Sequence, residues 1–95
     1  WHVAGITGNN PLRVDTGAIN NALLVSDNGS VSINGTPNAN AILDVQSTTK
    51  AFMPPRMTTT QRGAISSPTA GMVIYNSTTN KLNLYTTTWE QVTSA

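Results

Sequence analysis

Apolar residues in this chain come in short runs, each closed off within a few residues by polar or turn-forming ones. Ala22-Leu23-Leu24-Val25 ends at Asp27-Asn28-Gly29, Val31-Ser32-Ile33 ends at Asn34-Gly35, and Met72-Val73-Ile74-Tyr75 ends at Asn76. Such runs suit strands of a few residues and are too short for a membrane span. Short strands separated by turn residues indicate an all-β fold. Composition agrees. Helices lean on Glu, Lys, Arg, Ala and Leu, and this chain has one Glu and two Lys. An all-helical bundle is set aside.

Residues 22–33 hold the clearest hairpin. A two-residue Asn28-Gly29 turn would pair Ser26 with Val31 and mix polar with apolar faces. A three-residue Asp27-Asn28-Gly29 loop, with Gly29 left-handed, pairs Val25 with Val31 and Leu23 with Ile33. That places four apolar side chains on one face and Leu24, Ser26, Ser30 and Ser32 on the other. Register follows the buried face, so the three-residue loop is expected, with the four-residue apolar face inward. A second hairpin is expected over 71–85. A five-residue loop from Asn76 to Asn80 sets Ile74 against Leu82 and Met72 against Leu84, with Val73, Tyr75, Asn83 and Tyr85 opposite.

Elsewhere the chain reads as extended or irregular. Gly8-Asn9-Asn10-Pro11 is a turn cluster, Leu12 to Val14 and Ile42 to Val45 are short strands, and Trp89 to Val92 is a last strand. Pro54-Pro55 excludes a helix interior or a central strand. One short helix is expected near 58–64, because Thr58 and Gln61 have capping-box spacing and Gly63 limits its length. Two segments follow: 1–40, extended and hairpin-rich, and 41–95, with the C-terminal hairpin.

With 95 residues, of which 38% are apolar, the chain has little from which to build a core. Thr, Ser and Asn supply 34 of the 95 residues. Disorder normally goes with high net charge or low complexity, and the formal charge here is +1. The patterned apolar runs point instead to a core shared among several chains. No leader or membrane span is legible, and the start at Trp1 rather than Met reads as a piece of a longer protein or a processed product.

The segment 41–92 carries a string of motifs. They are Leu43-Asp44-Val45, Ser47-Thr48-Thr49-Lys50-Ala51-Phe52, Pro55-Arg56-Met57-Thr58, Gln61-Arg62 and Gly71-Met72-Val73-Ile74-Tyr75-Asn76, with Trp89 near the end. This string resembles a module of phage tail-fibre and related fibre proteins, found also in some bacterial surface proteins. Ala51 stands where Gly is usual. Upstream, Asn28-Gly29 and Val31-Ser32-Ile33-Asn34-Gly35-Thr36 are similar to the segment that precedes the module. The resemblance implies an intertwined homotrimeric β fibre, with each chain contributing part of the core.

Little here suits chemistry. Without cysteine there is neither a disulfide nor a thiolate metal site. His2 is the single histidine, and Asp15, Asp27, Asp44 and Glu90 lie in different segments. A glycosidase needs two carboxylates at a set separation, and nothing pairs these. No Asp-x-Asp-x-Asp-Gly loop is present for a cation. No enzyme activity, cofactor or metal is expected, and a charge of +1 gives no footprint for nucleic acid. Three glycan sequons, at Asn28, Asn34 and Asn76, are chance matches in an Asn- and Thr-rich chain. Arg56, Arg62, Tyr85 and Trp89 are the candidates for ligand or inter-chain contact. Arginine forks suit open carbonyls such as those of Pro54-Pro55, and the rings suit either burial or sugar stacking.

The expected role is a structural segment of a phage tail or head fibre, a trimeric shaft or tip serving host attachment on the virion. Other fibre or virion proteins would be its partners. The alternatives are a tip that recognises a host-surface glycan and a bacterial extracellular filament or adhesin of the same module.

Overall fold

A computed structural model describes the backbone of residues 2–4 and all atoms of residues 12–93. The expected turn at 8–11, Trp1 and the side chain of His2 lie outside the described residues. The all-β expectation is borne out: among the described residues, nine short strands make two sheets, and there is one short helix. The chain divides into two units, one running to Ala51 and the other from Phe52. The division at 40/41 drawn from the sequence runs inside the first unit.

The first unit is a five-stranded sheet in sequence order: β1 (His2–Ala4), β2 (Leu12–Asp15), β3 (Leu23–Val25), β4 (Val31–Ile33) and β5 (Leu43–Val45). All neighbours are antiparallel except β4 and β5, which run parallel. The register of the β3–β4 hairpin is the expected one, Val25 opposite Val31 and Leu23 opposite Ile33. Gly29 takes φ +88°, the left-handed conformation that a three-residue loop demands and that glycine adopts without penalty. Asn28 braces the loop, its Oδ1 accepting from the Ser30 amide at 3.1 Å and the Ser30 hydroxyl at 2.8 Å.

The buried face is the reverse of the expected one. Leu24, Ser30 and Ser32 are buried, Ser32 completely, while Ile33 is 37% exposed. Cross-strand partners stand on the same face of a sheet. The pairings therefore line up Val14, Leu23, Ile33 and Val45 in one row and Leu12, Val25, Val31 and Leu43 in the next. All eight are aliphatic and none is buried; Leu43 is 55% exposed and Val45 43%. The opposite face, Arg13, Leu24, Ser32 and Asp44, is closed by the unit's own loops. Polar groups do the closing: Ser32 Oγ donates to the Gly35 carbonyl at 2.6 Å and Asp44 accepts from the Asn38 amide at 2.8 Å. Asp15 accepts from the Asn21 amide at 2.7 Å and pairs with Arg13 at 2.8 Å.

The second unit is a four-stranded sheet of β6 (Arg56–Met57), β7 (Val73–Asn76), β8 (Lys81–Tyr85) and β9 (Trp89–Gln91), with helix α1 (Thr59–Gly63) joining β6 to the rest. The expected helix and its capping box are present. Thr58 Oγ1 accepts from the Gln61 amide at 3.1 Å, and Gln61 Oε1 accepts from the Thr58 amide at 2.9 Å. The expected hairpin register is off by one. Val73 pairs with Leu84, Ile74 with Asn83, Tyr75 with Leu82 and Asn76 with Lys81. The loop is residues 77–80, one shorter than expected, and Asn80 closes it at φ +57°, a conformation asparagine tolerates better than most side chains. A slip of one residue exchanges the faces. Ile74, Asn76 and Asn83 are buried, and Val73 (39% exposed) and Leu82 (36%) face outward beside Tyr75 and Leu84.

Gly29→Ala introduces a Cβ into open space but at a φ that L side chains rarely take. It should destabilise the protein by about 1 kcal/mol, read as a lower urea midpoint with an unchanged slope. No loss would show that the loop does not need the left-handed residue.

Candidate functional site

The structure gathers three of the four candidate residues and leaves one apart. Helix α1 carries Arg62 over the closed face of the second sheet. Its Nη1 donates to Asn83 Oδ1 at 2.8 Å, and its guanidinium carbon lies 5.6 Å from the centre of the Trp89 ring. Tyr85 meets Trp89 edge to face at 5.2 Å between centroids. The β8–β9 register pairs Tyr85 with Trp89, which is why the two rings stand side by side. Tyr85 also donates from its hydroxyl to the Thr87 carbonyl at 3.0 Å and so ties down the tight connection between the strands.

Beneath them lies a polar centre that the sequence did not advertise. Asn76 and Asn83 are almost fully enclosed. Asn76 Nδ2 donates to Asn83 Oδ1 at 3.1 Å and to Thr59 Oγ1 at 3.0 Å, while Asn76 Oδ1 accepts from the Thr78 amide at 2.9 Å. One asparagine thus joins helix, hairpin loop and sheet. Among the described residues, two buried donors in this centre find no partner, Arg62 Nε and Asn83 Nδ2. Asn83 Oδ1 takes protons from both Arg62 and Asn76, so exchanging its amide atoms would oppose donor to donor. The signal for this centre was an asparagine on each strand of the hairpin, Asn76 at the end of β7 and Asn83 in the middle of β8, which share a face in the observed register but not in the expected one.

Arg56 stands apart. It is exposed on the edge strand β6, and its Nη1 donates to the Pro54 carbonyl at 3.1 Å. The Pro55 carbonyl accepts from the Tyr75 amide at 2.8 Å. The two carbonyls that the Pro-Pro pair was expected to leave open are therefore both met inside the chain. The Pro-Pro segment leads into an edge strand, where a missing amide breaks no ladder.

None of this arranges reacting groups. Among the described residues no three His, Asp or Glu side chains gather to hold a metal ion, and no helix is long and apolar enough to cross a membrane. The hydrogen bond and the charge of Asp15 raise the pKa of Arg13 above its ordinary value; the pair is only partly covered, the Arg13 side chain being 38% exposed, and screening by water keeps its contribution to stability small.

The larger feature is the pair of open apolar faces. In the first unit it is the eight-residue aliphatic face of β2 to β5. In the second it is Val73, Tyr75, Leu82 and Leu84, extended by Val92, whose amide bonds the Leu82 carbonyl at 2.8 Å, and edged by two charges, Arg56 opposite Tyr75 and Glu90 opposite Leu84. Contiguous apolar patches of this kind mark interaction surfaces in soluble proteins.

Comparison with known proteins agrees. The profile described as phage tail like trimerisation region matches residues 30–95, which include the motif-bearing stretch. No curated protein and no solved structure matches the chain.

The two arginines should separate cleanly. Arg62→Ala leaves Asn83 with one donor and uncovers Trp89, and should lower stability by about 1–3 kcal/mol. Arg56→Ala should stay within about 0.5 kcal/mol, as for exposed substitutions generally. Thermal and urea melts of both variants check this. Equal losses would mean that a neighbouring chain holds Arg56.

Proposed function

We propose a role from one premise: this chain belongs to the family of phage tail-like trimerisation regions. It is a β-rich homotrimer-forming segment with a structural role in a phage tail fibre. We read it as a length of shaft on the virion that carries and aligns the parts of the fibre serving host attachment, beside other fibre proteins.

The observation that carries this reading is the orientation of the sheets. Each unit closes its polar face with its own loops or helix and leaves its aliphatic face open. Closing an aliphatic side chain fully from water contributes about 1.5–3 kcal/mol, and these residues have collected only part of that. Three copies that turn their open faces toward one another would collect the rest and cover Leu43, Val45, Val73 and Leu82. The scarcity of charge fits the same geometry. Charges rarely lie in the fully buried centre of an interface; the paired rows of β2 to β5 on the open face carry none, and on the second sheet Arg56 and Glu90 stand only on the two edge strands.

The engagement of Trp89 and Tyr85 favours a shaft over a sugar-stacking tip. Trp89 is covered by Arg62 and flanked by Tyr85, and Tyr85 is tied to the Thr87 carbonyl.

Sedimentation equilibrium should return three times the 10.0 kDa chain mass, and the melting temperature should rise with protein concentration. Leu43→Asp and Leu82→Asp each place an unpaired charge in the shared core, a cost of several kcal/mol, and should shift the protein to monomer. A monomer with concentration-independent melting, or trimers unaffected by both substitutions, would overturn the reading.

A further inference from the structure

The first unit has a groove of about 430 Å³ at one end of its open face. Its apolar wall is Ile19, Ala22, Ile33, Val45 and Ala51. Ile33 and Val45 belong to one row of the aliphatic face, so the groove is a deepening of that face rather than a separate site. Lys50, Gln46 and Asn34 form a polar rim. Among the described residues the lining holds no aromatic ring for a sugar to stack on. It holds no acidic side chain, so a cation has no charged ligand.

The second unit presents what such a groove accepts. Phe52 is the chain's single phenylalanine and is 65% exposed, and Met53 beside it is 63% exposed. With Pro54, Arg56 and Tyr75 they line a shallow depression, and Tyr75 is part of the second unit's open face. Two large apolar side chains thus project at the border of one shared surface, and a groove lies at the border of the other.

We propose that the groove of the first unit holds Phe52 and Met53 of a second copy of this chain. The proposal rests on the trimer reading above and adds how neighbouring chains interlock. A large side chain seated in a neighbour's groove fixes the axial position of one chain against the next, which two smooth aliphatic faces cannot do alone. Each copy offers one groove and one Phe52-Met53 pair, so a closed ring of three satisfies every groove. On the polar rim the Lys50 ammonium supplies a donor to the Phe52 and Met53 carbonyls of the incoming segment, while the Gln46 and Asn34 amides are held by the Thr36 and Gln46 carbonyls of their own chain.

The chain has no cysteine, so single thiols report contacts without interference. One full-length preparation carries Val45→Cys and another carries Phe52→Cys. They are mixed unfolded, refolded together, checked by sedimentation and treated with a short bismaleimide. A second pair, Ser47→Cys with Met53→Cys, uses the exposed rim and guards against damage to the groove. The expected result is a two-chain product in which mass spectrometry joins position 45 to 52, or 47 to 53. In addition, Phe52→Ala should lower the melting temperature of the trimer, and Phe52→Leu should restore most of it. Trimers that give no mixed product with either pair, or a link seen only when both thiols sit in one chain, would overturn the interlock while leaving the trimer intact. Failure of the unmodified chain to form trimers would overturn both.

Discussion

The chain can cover one face of each sheet, and it covers the polar one. Its covering elements are loops and a five-residue helix, rich in backbone groups that must find partners. Those partners stand on the polar faces: Ser32 and Asp44 in the first sheet, Asn76 and Asn83 in the second. Hydrogen bonds therefore direct each loop to the polar side, and the aliphatic side is left over. Such a subunit is inside out by the standard of a lone globular domain, where the aliphatic face would be enclosed.

That arrangement sets what each part contributes. The polar centre around Asn76, Asn83 and Arg62 adds little net stability by itself, since every buried bond there replaces one to water. It does make the hairpin register unique, because only one register brings the two asparagines together under the helix. The open faces work oppositely. They specify little within the chain and gain much between chains. Family membership supplies the partner, further copies of the same segment. Low charge, abundant Thr, Ser and Asn, and short strands then belong to one design: local structure held by hydrogen bonds, assembly held by aliphatic burial.

Much of this was legible in the residues. The first hairpin could be read to the residue because only the three-residue Asp27-Asn28-Gly29 loop keeps Leu23, Val25, Val31 and Ile33 on one face, and the helix because Thr58 and Gln61 cap it reciprocally. The errors share one cause. Both hairpins were read as if the more apolar face must be the buried one. In the first, the register survived that assumption and only the burial was inverted. In the second, the assumption drew Ile74 toward Leu82 and away from Asn83, and the whole strand slipped by one. Asn80 held the corrective signal, as a residue suited to close a shorter loop. Arg62 and Trp89 were singled out without their geometry, because nothing in the local pattern places helix α1 over the asparagine pair. Arg56 was read as a tie for open carbonyls, and the parallel pairing that satisfies Pro55 links segments too far apart for periodicity to reveal.

Hydroxyl-radical footprinting across a dilution series tests the central claim most directly, since it reads the solvent access of individual side chains. If copies of the chain close its aliphatic faces, Leu43, Val45, Val73 and Leu82 will be protected at high concentration and become reactive as the assembly dissociates. Leu24 and Ile74, enclosed by the chain itself, will stay protected until the subunit unfolds. Equal reactivity of Leu43, Val45, Val73 and Leu82 at every concentration would contradict the account.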